Sequence, residues 1–278
     1  MKSTHYTYLL TALLLQASLN SGNGVAADPS QEKGQKILDE EALTAKEYAD
    51  RGVPPVEKPW TVDELSAAAK ALTAVAQRKS KQLPRYKGAR SGGIFSQLTS
   101  DHYLKVIKDK SIPIETRFQQ VIGLLRRSNQ LFLTYANALT AGTKLDEEVI
   151  ELTGAQLRLT ATFITFMDEM IPTLDKNNPQ HQVRIKAYAN MGNRLADIVN
   201  GATITLAEKA HYRPRARVRL IAYEKQTFPV IVPRLPAKAL QQVVNRLETL
   251  SQDKAYADLQ PGLRELLELV RGLEKSKN

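Results

Sequence analysis

Apolar residues recur every three or four positions along most of this chain, the spacing of one helix face. No long segment keeps the period of two that marks a half-buried strand. The pattern begins sharply at Trp60. Thr61 and Glu64 have the spacing of a capping box, and Trp60 and Leu65 sit where a hydrophobic staple would. Leu65, Ala68, Ala69, Leu72, Val75 and Ala76 then predict helix to about residue 82. Pro84 and the glycines between Gly88 and Gly93 break the chain, and a shorter helix is predicted over Ile94–Lys108.

Three long helices follow. The first, about 113–141, carries Ile114, Phe118, Val121, Leu125, Phe132 and Leu139 along one stripe and stops at Gly142. The second, about 144–174, has Ile150, Leu157, Ile164 and Ile171 seven apart, with further apolar residues on other sides. That distribution predicts a central, deeply buried helix. The third opens at Asn178-Pro179, an N-cap followed by proline at N1, and is expected to run unbroken to about Lys209. Each would span roughly 40–45 Å, and the short connections predict antiparallel neighbours.

Residues 210–236 read two ways. Pro214 can open a helix through Val218, Ile221 and Ala222, yet Arg213, Arg215, Arg217 and Arg219 alternate with apolar residues as a strand would. Pro229 and Pro233 argue against a helix interior, so a short helix followed by an extended crossing is expected. Two closing helices, Pro236–Ser251 and Asp253–Lys275, present leucines and valines at a/d-like spacing and predict an αα-hairpin that caps the bundle or pairs with a partner. The expected fold is therefore all-α: an antiparallel bundle of long amphipathic helices over residues 59–278, preceded by a polar, net acidic arm at 28–58, draped on the body without a packed face of its own, that could form one short helix around Ile37–Asp50.

The first 27 residues carry a different message. Lys2 precedes an uncharged apolar run from Tyr8 to Leu19, and Val25-Ala26-Ala27 stands before Asp28-Pro29. A basic start, an apolar stretch of about a dozen residues and small residues before a cleavage point describe an export signal cut after Ala27. The run is short of the about 20 residues needed to cross a bilayer. With no cysteine and no Asn-x-Ser/Thr sequon, the chain reads as a bacterial export, placed in the periplasm or outside the cell.

Composition narrows the chemistry. The absence of cysteine removes disulfide scaffolds, thiolate zinc sites, iron–sulfur clusters and cysteine nucleophiles. Glu208 and His211 form the one Glu-x-x-His pair, and a di-metal bundle site would need two. Ser100, Asp101 and His102 are adjacent in sequence, so on a helix they point about 100° apart and cannot relay a proton among themselves. No phosphate-binding glycine loop is present. No catalytic residue, metal site or cofactor is expected.

Two polar features remain. Asn190, Asn193, Arg194, Asp197 and Asn200 would share one face of the third long helix, either solvated or forming a polar groove in which Arg194 and Asp197 could pair. An enzyme of unassigned reaction would place its site there. The second feature is basic clustering within a net charge of +10: Arg78, Lys79, Lys81, Arg85, Lys87 and Arg90 in one set, Arg213, Arg215, Arg217 and Arg219 in another, each free of acids. These are the candidate contacts for an anionic envelope lipid, glycan or protein partner. Only Tyr86 interleaves with the first set, which argues against nucleic acid, where several stacking aromatics are wanted. The sequence reading is thus an exported helical binding or scaffold protein.

Overall fold

A computed structural model describes residues 39–140 and 142–276. The expected export signal and the start of the arm lie outside the described residues. Among the described residues the protein is all-helical, with eleven α-helices packed together and no strand. One continuous apolar cluster runs from Leu43 to Val270 and joins every layer.

The arm carries a short helix within the expected 37–50 span, and only the expectation that it lacks a packed face is corrected. Its second half is part of the core. Ala42, Leu43, Tyr48 and Val53 are buried, and the Tyr48 hydroxyl donates to the Gln82 carbonyl. Helix α1 (Ala45–Ala49) is nucleated by its own capping box, with the Glu47 amide donating to Thr44 Oγ1 and the Thr44 amide to Glu47 at 2.8 Å. Sequence polarity hid this because one tyrosine and a few small apolar residues are enough to anchor a short strap.

Trp60 is fully buried, its indole Nε1 donating to the Pro55 carbonyl at 2.6 Å. It leads into α2 (Val62–Lys79), whose Thr61–Glu64 capping box forms as predicted. Two short helices, α3 (Ile94–Leu98) and α4 (His102–Lys108), carry the chain back to the start of α5 (Ile114–Thr140). Side chains pair in rising order along α2 and α5: Val62 lies against Gly123, Thr73 bonds Thr134, and Ser80 bonds Thr143 just beyond α5. The two helices therefore run in the same direction.

Helix α6 (Asp146–Met170) is buried on several sides, including Ile150, Leu157 and Ile164. The segment beyond it departs from expectation. It forms two helices, α7 (Pro179–Ala189) and α8 (Gly192–Ala207), interrupted at Asn190-Met191. A Cβ at Gly192 would stand 2.7 Å from the Arg234 carbonyl, so the chain changes course where it must pass close to another backbone.

The larger correction is at 210–236. Helix α9 (Pro214–Ile231) is continuous and includes Pro229. An interior proline removes one backbone hydrogen bond and costs about 3 kcal/mol in isolation. Here Phe228 and Ile231 on either side of it are fully buried, and burying two such side chains contributes about that much or more. Tertiary packing wins. Pro233 then opens a final 3-10 turn, Val232–Arg234. Helices α10 (Ala237–Gln252) and α11 (Gln260–Lys275) pack on each other, α10 also against α8 and α11 against α9, so the C-terminal pair belongs to the body.

Candidate functional site: two clefts flanking α5

Helix α8 leans on α9 and α10 rather than on α5 or α6. The small residues Gly201 and Ala202 face the gap that this leaves. The result is a cleft of about 290 Å³ between α5, α6 and α8. Asn129 of α5, Gln156 and Thr160 of α6, and Asp197 and Asn200 of α8 bring hydrogen-bonding groups to it. Phe132, Leu157 and Ile198 supply apolar wall, and Ile204, 44% exposed, stands in it as one of the few large apolar side chains open to solvent. A second cleft of about 610 Å³ lies between α2 and α5, lined by Gln77, Arg126, Asn137 and the small Ala76 and Ala138. Asn129 and Leu133 line both clefts, so the two meet across α5.

The expected polar ladder is split by the break between α7 and α8. Asn190 caps the end of α7 and Asn193 is exposed near the start of α8. Asp197 and Asn200 reach the first cleft. The Asn200 side-chain oxygen accepts from Arg246 Nη1 at 3.1 Å, which fixes its orientation. Arg194 and Asp197 do not pair among the described residues. Arg194 instead leaves Nη1 buried without a hydrogen-bond partner, and burial holds its guanidinium below the usual arginine range.

The two basic sets have separate fates. In the first, Arg78, Lys79 and Lys87 are exposed, whereas Lys81 pairs with Glu41 at 3.7 Å and Arg90 donates to the Glu40 carbonyl at 2.8 Å. Arg85 is buried and donates to the Lys81 and Lys144 carbonyls. The acidic arm thus covers part of this set. The second set faces four buried acids in the first turns of α6. Arg213 holds Asp146 through both oxygens, at 2.7 and 2.8 Å, and Arg215 and Arg219 both meet Glu147. Arg219 also reaches Glu151 at 3.3 Å and lies over the Tyr86 ring. Arg217 turns the other way, donating to the Leu206 carbonyl.

The electrostatics follow from this burial. Burial by itself would lower the Arg213 guanidinium, but its bonds to Asp146 and the nearby Glu147 and Glu148 lift it above the usual range. Glu148 is pushed up by burial, against the pull of the Tyr86 amide and Arg85. Tyr223 donates to Glu151 at 2.5 Å, and burial together with that carboxylate raises its phenol to about 12. These acids and arginines stand in the turns where α6 and α9 begin. Sequence reading missed the acids as partners: Asp146, Glu147 and Glu148 look like ordinary first-turn residues that favour a helix N-terminus.

The Glu208–His211 pair is present at 3.6 Å. No group of three or more potential metal-binding side chains occurs among the described residues. No described helix is long and apolar enough to cross a membrane. No protein-family model, curated protein or solved structure matches this chain.

Proposed function

We propose that this chain is an exported helical binding protein that takes a small ligand in the cleft between α5, α6 and α8. The observation that carries this reading is the convergence of hydrogen-bonding groups from three helices on one recess beside an exposed Ile204. Concave sites with apolar walls and a few converging polar groups are where small ligands bind. Asp197 is the one ionisable side chain lining the recess among the described residues. Acid–base or nucleophilic chemistry normally engages a second group within hydrogen-bond reach, which favours binding over turnover.

Export rests on Lys2, the apolar run to Leu19 and the small residues before Asp28. An up-and-down course for α5 and α6 is supported by the Phe118–Phe166 ring contact at 6.4 Å and by the short link between Thr140 and Asp146. Contact with an anionic lipid or glycan would fall to Arg78, Lys79 and Lys87, the exposed remainder of the first basic set.

The test is a thermal-shift screen of the purified chain against amino acids, short peptides and neutral sugars. A binder should raise Tm, and Ile204→Arg, a change at a solvent-open position, should abolish the rise while leaving the helical circular dichroism intact. A binder indifferent to Ile204→Arg would place the site elsewhere. Turnover of any probe, lost in Asp197→Asn, would replace the binding reading with an enzymatic one. N-terminal sequencing of exported protein should begin at Asp28, and retention of Met1 would refute cleavage.

A further inference from the structure

We propose that the two clefts form one site for a short peptide with free termini, its ammonium held at Asp197 and its carboxylate at Arg126. This rests on the binding reading above and adds the class of ligand. Three observations lead to it. The clefts share Asn129 and Leu133, so a ligand can lie across α5 from one to the other. Each cleft is lined by a single ionisable side chain among the described residues, and the two have opposite signs: Asp197 in the first, Arg126 in the second. Both are exposed, and neither forms an ion pair among the described residues.

Apart from these two charges the lining of both clefts is uncharged but able to hydrogen bond, with Gln77 and Asn137 in one and Gln156 and Thr160 in the other. Carboxamides both donate and accept, which matches the alternating N–H and C=O groups of an extended peptide. The walls differ in size. Leu157, Ile198 and Ile204 lie near Asp197, whereas Ala76 and Ala138 line the far cleft. The site therefore favours an apolar first residue. Phe132 is the one aromatic ring lining either cleft among the described residues, too little stacking surface for a sugar.

Calorimetric titration of the purified chain with Leu-Ala-Ala-Ala tests this, beside its N-acetylated form, its C-terminal amide and a neutral tetrasaccharide. The free peptide should bind, and each capped form should bind about two- to fivefold more weakly, as expected when an exposed charged contact is lost. Asp197→Asn should remove the discrimination against acetylation alone, and Arg126→Gln that against amidation alone. Circular dichroism controls for folding, and both substitutions are at exposed positions. Equal affinity for free and capped peptides overturns the proposal. If the tetrasaccharide binds instead and Leu133→Arg abolishes it, the cleft is a binding site but the peptide assignment falls. If no probe gives heat at millimolar concentration, the peptide assignment falls as well. The thermal-shift screen then decides separately whether the cleft binds at all.

Discussion

The α10–α11 seam and the α6–α9 seam bury helix faces by opposite chemistry. In the first, two helices pack together, and Leu240, Val243, Leu247 and Leu250 on one and Leu263, Leu266 and Val270 on the other are all buried and apolar. In the second, the first turns of α6 bring three acids, Asp146, Glu147 and Glu151, to the arginines at the start of α9. Apolar faces can slide or rotate past one another at modest cost, because burial has no direction. The charged seam cannot. Arg213 meets Asp146, Arg219 meets Glu147 and Glu151, and the Tyr223 ring lies over Gly154, where a Cβ would stand 2.3 Å away. Partner numbers rise together, so α9 runs in the same direction as α6 and in one register. The difference suggests that the ionic seam specifies the arrangement while the apolar seam supplies stability.

The largest expected effects separate those two roles. Leu247→Ala should cost about 3 kcal/mol from lost burial and the cavity left behind, measured by urea denaturation. Asp146→Ala should cost less, about 1–2 kcal/mol, because Arg213 loses its two-oxygen partner but keeps Glu147 at 3.1 Å. The double substitution Asp146→Leu with Arg213→Met is the sharper experiment. Replacing a buried ion pair by apolar residues of similar volume is often neutral or stabilising. Recovery of most of the loss, together with a broader, less cooperative transition, would confirm that the pair contributes register more than stability. A double variant as unstable as Asp146→Ala would break the comparison.

A smaller effect comes from Glu224, which helical spacing puts on the face of α9 that carries Arg217, away from that seam. Its side chain is fully buried with neither oxygen hydrogen-bonded, and burial alone holds its carboxyl well above the usual range. The native state therefore keeps a proton there that the unfolded chain releases above about pH 4.5. Since the unfolded state binds fewer protons, stability contributed at this position falls as pH rises from that value through the native pKa. The limiting slope is about 1.4 kcal/mol per pH unit. Glu224→Leu should remove this fall and raise the urea midpoint at pH 8 more than at pH 5. An equal gain at both pH values would mean that the carboxyl is not protonated in the folded protein.

How much of this was legible in sequence depended on which chemistry buried each face. The α10–α11 pair could be read directly, since an apolar stripe has one interpretation. The Thr61–Glu64 box was equally plain because its partners lie three residues apart. Arg213, Arg215 and Arg219 looked like a solvated or anion-binding set because their carboxylates lie more than sixty residues away. The continuity of α9 through Pro229 was hidden for the same reason, since the compensating burial of Phe228 and Ile231 is tertiary. In the candidate site, Asp197 and Asn200 were legible by helical spacing. Asn129 and Gln156 were not, because their cleft exists only where α8 stands away from α5 and α6, and Arg126 was not, because its cleft forms only where α2 and α5 come together.

The smallest expected effect contrasts the two sides of α9 itself. Toward α11 it makes an ion pair of the ordinary kind, Lys225 with Glu265, whose side chains are 41% and 59% exposed. Toward α6 the Arg213–Asp146 pair is 20% and 5% exposed. Water and salt screen charges in proportion to their exposure, and the Debye length at 0.15 M ionic strength is about 8 Å. Exposed pairs contribute about 0.2–1 kcal/mol after the entropy of holding both chains is counted. Lys225→Met should therefore shift the urea midpoint by less than 1 kcal/mol equivalent. The shift should vanish in about 1 M salt, where the screening length falls to about 3 Å. The cost of Asp146→Ala should largely persist in the same buffer, because the hydrogen bonds lost between Arg213 and the buried Asp146 are little screened by mobile ions. If both effects disappear together in high salt, the α6–α9 seam is wetter than its burial implies, and its role in fixing the register of α9 loses its physical basis.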